Sequence, residues 1–467
     1  MRIQKLIWER SLAENIFPNS SNALVLNYSG SNKWAFNVLI GSLVQYDANL
    51  DLDIYLIKTI GKITRILPIL MQKYDKIFVG ISLMTTQLKG NLEVIRTLSS
   101  MKKLGQVILI CGGSHASGDP LGTLELGFDY VIAGDGERAF PELIRCLSEN
   151  IDPTGIKGLA YLEDSKLKFN GFDRVNLDNF PPYCEELGLF NPIEITRGCP
   201  FGCKYCQVSY FLGFKPRHRS LDLVLEYTKR MLERGLVNTR YISPNILSYG
   251  SETGREPNME ILEEFFSKTY ELSVIKYHGN LYLTSFPSTV RPDFINEDTI
   301  KLISKYTTRK RISFGAQSGS DEILKKIGRQ HTVDDVINAV KLSLRYGFIV
   351  DVDFIFGLPG ETREDVEATF NLIKKLVELG ARIRAHVFLP LPGTPFSNAP
   401  IGKIDDKIMN YFAKLTSKGH GFGPWLEQIK MAKDIDELRR KGIIKPCIII
   451  GNNYKYLKTS VAVASSY

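Results

Sequence analysis

The chain has no run approaching the ~18 apolar residues that a membrane-spanning helix needs. Its start, MRIQKLIWER, is interrupted by Lys5, Glu9 and Arg10, which excludes the unbroken apolar core of a signal peptide. A cytoplasmic protein without a membrane partner is the expectation. Cysteine is sparse, seven in 467 residues, and the number is odd with three clustered; that fits metal binding in a reducing compartment better than a disulfide framework. Repeats at solenoid periods and low-complexity tracts are absent. The composition, 44% hydrophobic and 24% charged, is that of a globular chain of about two to three domains. The net charge of +8 is spread along the chain and reads as solvated surface. Without a helix-turn-helix or similar reader, nucleic acid is not an expected partner.

The informative stretch is TRGCPFGCKYCQVSY, residues 196–210. Cys199, Cys203 and Cys206 follow a C-x3-C-x2-C spacing, so one short loop presents three thiolates to one inorganic centre. Three thiolates on an iron–sulfur cubane leave one iron open for chemistry. Together with His218 the same cysteines could instead close a tetrahedral zinc site, although zinc knuckles more usually use two separated pairs. The loop follows the β-branched run IEIT, and Gly198 and Gly202 allow the backbone to fold closely around a cluster.

Residues 1–150 alternate strands and helices. Apolar runs at 23–28, 76–82, 106–113 and 129–134 predict an open, Rossmann-like, doubly wound parallel sheet. Ligands bind beyond the carboxyl ends of such strands, where the chain has NYSGSN, SLMTT, CGGSHASGDP and AGDGERAF. Residues 151–190 read as a linker with turn signals at Asp152-Pro153 and Pro181-Pro182; Cys184 within it is a candidate extra ligand or redox partner. Residues 191–400 show six strand candidates, at 193–196, 240–244, 281–286, 311–318, 351–357 and 383–390, with helices between. The apolar spacing after Thr332 and again up to Gly380 is helical. This predicts a partial (β/α)6 TIM-like barrel, with chemistry at the carboxyl ends of its strands. Residues 401–467 form a C-terminal extension, in which GHGFGPWLEQ could cover the open barrel and Cys447 could reach the cluster or the substrate.

The cysteine spacing, with Tyr205 before the last cysteine, resembles the signature of the radical S-adenosylmethionine (SAM) superfamily. FGAQSGSDEILKKIGRQHT (314–332), VDFIFGLPGET (352–362) and HVFLPLPGTPF (386–396) are similar to its fourth-, fifth- and sixth-strand motifs. The resemblance implies a [4Fe–4S] cluster on Cys199, Cys203 and Cys206, with SAM chelating the open iron through its amino and carboxylate groups. It places Tyr205, Gln317 and Ser318 near SAM, and Ile355 with Phe388 and Leu389 around the adenine. Ser285 and Arg291 become candidate polar contacts, Arg291 because a guanidinium can grip a carboxylate bidentately. The family's Gly-Gly-Glu element after the second strand is replaced by ISPNILSYGSE (242–252), which leaves Ser243 and Asn245 as candidates for the amino group.

The N-terminal segments resemble the cobalamin-binding domain that precedes the barrel in one branch of that superfamily. ICGGSHAS (110–117) and IAGDGERAFPELI (132–144) carry the likeness. It implies cobalamin contacts from Asn27, Ser82, Thr85, Thr86, Gly112, Gly113, His115, Gly134, Gly136 and Glu137. The Asp-x-His-x-x-Gly motif that supplies a histidine to cobalt is absent, since the chain has NYSGSNKW there. Cobalamin without a histidine ligand, or a domain that has lost it, are the two readings. The activity implied is that of a class B radical SAM methyltransferase of archaeal type. SAM would be cleaved reductively to a 5'-deoxyadenosyl radical, and a methyl group carried on cobalamin would pass to an unactivated carbon of a peptide, protein residue or small metabolite. A ferredoxin or flavodoxin would donate electrons. Three alternatives stay open: a cyclisation or rearrangement on the same cofactors, a sensing module without turnover, and a methylthiotransferase. The last requires a second three-cysteine set, whereas only Cys111 and Cys146 precede the linker.

Overall fold

The computed structural model describes residues 3–8, 19–46, 51–102 and 105–458; Glu9 and Arg10 of the N-terminal reading lie outside them. The N-terminal sheet is built from β1 (Ile3–Trp8), β2 (Asn22–Asn27), β3 (Leu52–Ile57), β4 (Lys76–Ser82), β5 (Val107–Gly112) and β6 (Tyr130–Ile132). These are parallel in the order β1-β3-β2-β4-β5-β6. Successive residues of β2 enter two different cores, Ala23 and Val25 on one face and Leu24 and Leu26 on the other. Burial on both faces is why these strands read as continuous apolar runs. β3 escaped the apolar-run criterion because LDIYLI contains Asp53. The fold buries that carboxylate and satisfies it with the Tyr74 hydroxyl at 2.8 Å and the Asn19 amide at 3.0 Å.

The stretch 151–190, expected as a linker, contains a hairpin of β7 (Leu159–Glu163) and β8 (Lys166–Phe169) that extends the sheet antiparallel beside β6. Its turn, Asp164-Ser165, has positive φ at both residues, 50° and 60°, the backbone of a two-residue hairpin loop. An edge hairpin with one wet face carries little apolar signal, so its sequence looked like connector.

The barrel starts at β9 (Ile193–Glu194). A short ribbon of β10 (Thr196–Arg197) and β11 (Arg217–His218) then brackets the cysteine loop. Parallel strands β12 (Asn238–Ile242), β13 (Asn280–Tyr282), β14 (Arg311–Gln317), β15 (Ile349–Phe356) and β16 (Arg382–Val387) follow. The two halves, β13-β12-β9 and β14-β15-β16, meet through a bridge from Val290 to Phe314. Helices Val333–Arg345 and Arg363–Glu378 start at capping boxes formed by Thr332 with Asp335 and Thr362 with Asp365. The C-terminal stretch adds β17 (Gly421–Phe422) parallel to β16, so GHGFGPWLEQ lengthens the barrel wall. A final hairpin, β18 (Cys447–Ile450) and β19 (Asn453–Tyr456), reaches back to the N-terminal domain, where the Tyr454 hydroxyl donates to the Ser117 carbonyl at 2.7 Å. Among the described residues no helix is long and apolar enough to cross a membrane.

Candidate functional site

The cysteine loop leaves β10 through Gly198, whose φ is +92° and where a Cβ would stand 2.6 Å from the Lys215 carbonyl. Only glycine fits that approach. The Cys199 amide donates to the Gly213 carbonyl at 3.0 Å, the Cys206 amide to Cys203 at 3.0 Å, and the Lys204 amide to Ile327 at 2.9 Å. Three thiols are thereby held in one buried or half-buried loop. Burial, then the neighbouring Cys203, pushes the Cys206 thiol up to about 12, and burial raises Cys199. Thiols so raised become thiolates when a metal centre binds them. The loop also faces cationic groups. Arg329 Nη1 lies 3.8 Å from Cys203 Sγ, its buried Nε has no hydrogen-bond partner, and the Arg291 guanidinium stacks 3.5 Å from the Phe201 ring centre. Arg329 Nη2 donates to the Gly315 carbonyl at 2.6 Å, and buried thiols beside this buried guanidinium suit an anionic, thiolate-ligated cluster. They do not suit the zinc alternative, because both nitrogens of His218 are engaged, Nδ1 with the Thr196 hydroxyl and Nε2 with the Ser251 carbonyl, each at 3.0 Å. Among the described residues no three His, Cys, Asp or Glu side chains converge on a single metal ion; in a cubane each thiolate takes its own iron.

Of the residues expected around SAM, Tyr205, Ile355 and Phe388 meet in one small apolar cluster with Leu324, Ile327 and Leu358. Asn245 is buried with both amide atoms lacking partners, the mark of a polar group waiting for a ligand. Ser243 donates its hydroxyl to the Asn245 carbonyl at 2.9 Å and so orients that residue. Gln317 adopts a φ of +71° where the β14–β15 register shifts, an uncommon conformation outside glycine and one often found at functional sites. Four expectations change. Ser318 is fully buried, with its hydroxyl shared with Thr369 at 3.2 Å and accepting the Ser320 amide at 3.2 Å, so it ties a strand end to a helix. The Arg291 fork is occupied by Asp293 at 3.0 Å and the Arg329 carbonyl at 2.7 Å. Leu389 packs with the N-terminal core, away from Ile355, and Ser285 lines a separate cavity lower in the barrel. Sequence reading missed Arg329 and His331, although both lie in the GRQHT end of the fourth-strand motif. His331 is pushed down to about 2 by burial, then by Arg329 and Arg291, and its Nδ1 has no partner.

At the carboxyl ends of the N-terminal strands lies a cavity of about 300 Å³. Six of the expected residues line it: Ser82, Gly112, Gly113, Gly134, Gly136 and Glu137. Its opposite wall is the barrel's own, from Pro192, Glu194, Arg197 and Ile242. A Cβ at Gly113 would meet the Leu83 carbonyl and Ser82 Oγ at 2.8 Å each, so the glycine is a steric requirement of this cradle. Asn27, Thr85, Thr86 and His115 lie outside the lining. Asn27 Oδ1 accepts the Ser82 amide at 2.9 Å, and Thr85 pairs with His115 Nδ1 at 3.3 Å. His115 is fully buried and pushed down to about 4 by that burial, so it supports the turn as a neutral ring. The glycine-lined, partly apolar cradle fits cobalamin approached closely by backbone.

Glu137 does not project freely to a nucleotide tail. Arg197, two residues before Cys199, contacts Glu137 at 2.6 Å, Glu194 at 2.5 Å and Asp135 at 3.3 Å, and Arg217 joins Asp135 at 2.5 Å. Burial alone would raise the Glu137 carboxyl, but Arg197 outweighs it and holds it below the usual range, whereas burial wins at Asp135 and raises it. This ion network bolts the N-terminal domain to the cluster loop. Sequence offers residue types but not this partnership, which spans some 60 residues of chain. Cys184 packs in a helix-side core of the N-terminal domain, its thiol pushed up to about 12 by burial. Cys447 donates to the Gly118 carbonyl at 2.7 Å. Neither takes the ligand or substrate role considered for it.

Residues 193–373 match the Radical SAM superfamily, and residues 69–144 match the B12 binding domain. These two matches bring with them the cofactor set of a [4Fe–4S] cluster, SAM and cobalamin. An uncharacterized protein of Methanocaldococcus jannaschii is 28% identical over 377 residues, covering 70% of this chain and 71% of its own. A protein of Pyrococcus horikoshii named as an uncharacterized methyltransferase is 29% identical over 345 residues, covering 70% and 69%. A tRNA-2-methylthio-N(6)-dimethylallyladenosine synthase of Methylobacillus flagellatus is 28% identical over 266 residues, 56% of each chain. Among solved structures, the radical SAM methyltransferase TsrM of Kitasatospora setae, with cobalamin and a [4Fe–4S] cluster bound, superposes with a TM-score of 0.62 at 18% identity, covering 81% of this chain and 77% of that one. The cobalamin-dependent radical enzyme OxsB superposes at 0.60 and 18%, covering 76% and 52%. The fold, the glycine cradle and the three-cysteine loop agree with the two domain matches: the chain carries a radical SAM domain over residues 193–373, preceded by a B12-binding domain over residues 69–144.

Proposed function

We propose that the protein is a cobalamin-dependent radical SAM methyltransferase that modifies an unactivated carbon of its substrate. The observation that carries the reading is the arrangement of two cavities. The glycine cradle and a second cavity of about 440 Å³ inside the barrel both use Trp34 and Pro192 as wall, so a substrate in the barrel would have one cofactor site beside it and the cysteine loop above it. When bound, the reduced cluster supplies the electron that cleaves SAM, and cobalamin supplies the methyl group.

The chain's own residues bind, orient and exclude water. Cys199, Cys203 and Cys206 hold the cluster, and Arg329 neutralises its charge. Tyr205, Ile355 and Phe388 form a dry wall, which strengthens polar contacts made at its edge. Asn245 and Gln317 have amides suited to polar groups of SAM. The Arg197 network keeps the two cofactor sites in register. The relatives named as methyltransferases support this reading. The methylthiotransferase alternative lacks its second cysteine set, because Cys111 and Cys146 belong to cores on opposite faces of the N-terminal sheet.

Anaerobic reconstitution with iron, sulfide, cobalamin and SAM, followed by reduction, tests the proposal. 5'-Deoxyadenosine should form, and S-adenosylhomocysteine should form only when cobalamin is present. Formation of neither product, in protein shown to hold both cofactors, would overturn it.

A further inference from the structure

The cavity inside the barrel has an unusual lining. Parallel-barrel interiors are ordinarily filled by branched apolar side chains. Here the strand register stacks polar layers instead: Ser313, Asp351 and Arg382 in one, then Gly315, Asp353 and Arg384 in the next, level with Phe422. Above them Ile355 pairs with His386, at the height of the dry wall described for SAM.

The cations outnumber the anions. Arg311 and Arg382 share Asp351 at 2.7 and 2.9 Å, and Arg384 faces Asp353 at 3.6 Å. Arg240 and Arg309 also line the cavity or its mouth, and among the described residues neither has a carboxylate partner. The lining itself holds Arg240, Arg309, Arg311 and Arg384 against Asp351, while Arg382 and Asp353 lie outside it. Arg240 is held in place, stacked 4.0 Å from the Tyr282 ring centre with Nη1 on the Phe286 carbonyl at 2.9 Å. Arg240 is half-exposed and Arg309 exposed at the cavity, so both guanidiniums are open to a ligand, and the excess of positive charge suits one that brings negative charge. Trp34 and Phe286 stack at the rim, ring centres 5.8 Å apart, and offer an aromatic flank.

We propose that this cavity is the substrate site and that it takes an oxyanion, carboxylate or phosphate, gripped by Arg240 and Arg309; the inference rests on the methyltransferase reading for what happens next. A layer is two residues deep, about 7 Å along a strand. The Arg384 and Arg382 layers therefore lie roughly 7 and 13 Å below the Ile355–His386 level, and Arg309, which precedes β14, lies lower still, so the anionic group should be held at the end of the cavity away from that level.

Equilibrium dialysis of the reconstituted holoprotein tests this with labelled pyrophosphate and labelled citrate, each against chloride at matched ionic strength. The expected result is saturable binding of one of the two probes, which tells phosphate from carboxylate. It should weaken at least about tenfold in Arg309→Gln, an exposed position that the fold tolerates, and in Arg240→Gln. Cobalamin absorbance reports that each variant is loaded as the parent is. Binding of neither probe above the chloride control, or binding unchanged in both variants, would overturn the inference. Dialysis needs no SAM cleavage, so a protein that binds the anion yet forms no 5'-deoxyadenosine would count against the methyltransferase reading alone.

Discussion

Replacing Arg197 with methionine probes the bolt between the two domains. The methionine keeps an apolar stem of similar reach, so the packing loss is small. What disappears is one of two guanidiniums that balance three carboxylates, Asp135, Glu137 and Glu194, the first two nearly fully buried. Removing one partner of a buried ion pair costs about 3–5 kcal/mol, which should lower the midpoint of the affected thermal transition by roughly 6–20 °C. The pH dependence sharpens the expectation. Without Arg197, burial at Glu137 is opposed only by a backbone hydrogen bond and the more distant Arg217, and its folded-state pKa moves upward from below its ordinary value. A carboxyl raised in the folded state is harmless below its unfolded pKa, about 4, and costs stability as pH rises beyond that. The deficit of Arg197→Met against the parent should therefore be largest near pH 7–8 and shrink below pH 5. Urea unfolding of both proteins across that range measures it. A loss under about 1 kcal/mol, or a loss independent of pH, would refute the reasoning.

Gly113→Ala and Gly112→Ala should separate cradle from fold. At Gly113, with φ +88°, the new methyl meets backbone and Ser82 at 2.8 Å, so stability should fall by about 1–3 kcal/mol along with cobalamin retention. At Gly112 the nearest atom is 3.7 Å away, so thermal unfolding should be unchanged while the methyl, facing the cavity, still reduces cobalamin absorbance after gel filtration. Asp353→Asn addresses the barrel interior. Burial raises Asp353 to about 6 from 3.8, a shift of about 2 pH units or ~3 kcal/mol. The parent loses that stability as pH rises from about 4 to 6, so the variant should match it near pH 4 and be more stable at pH 7; equal unfolding midpoints at both values would contradict the assignment.

How much of this could be read from the chain depends on whether the signal is local. β2, β4 and β5 are continuous apolar runs because both sheet faces are covered. The helices at 333–345 and 363–378 announce themselves through Thr332 and Thr362 and their apolar spacing. The cysteine loop is as local, since its three ligands and two turn glycines lie within nine residues of chain from Gly198. β3 was obscured by one buried aspartate, and β7 and β8 by an exposed edge, because in both the signal depends on what packs against them.

The amino-acid sequence by itself determined the two domain types, the strand runs, the three-thiolate spacing and the glycines of the cradle, all set by neighbours within one turn, loop or strand. Only the tertiary structure decided that Glu137 serves Arg197, that Ser318 and Arg291 are spent on the protein's own groups, and that Cys447 buttresses the N-terminal domain. It also decided that arginines from β12, β14 and β16 share one interior. Charge and hydrogen-bonding capacity are carried by residue type, but a partner is chosen by distance, and distances across the fold arise when strands remote in the chain come into register.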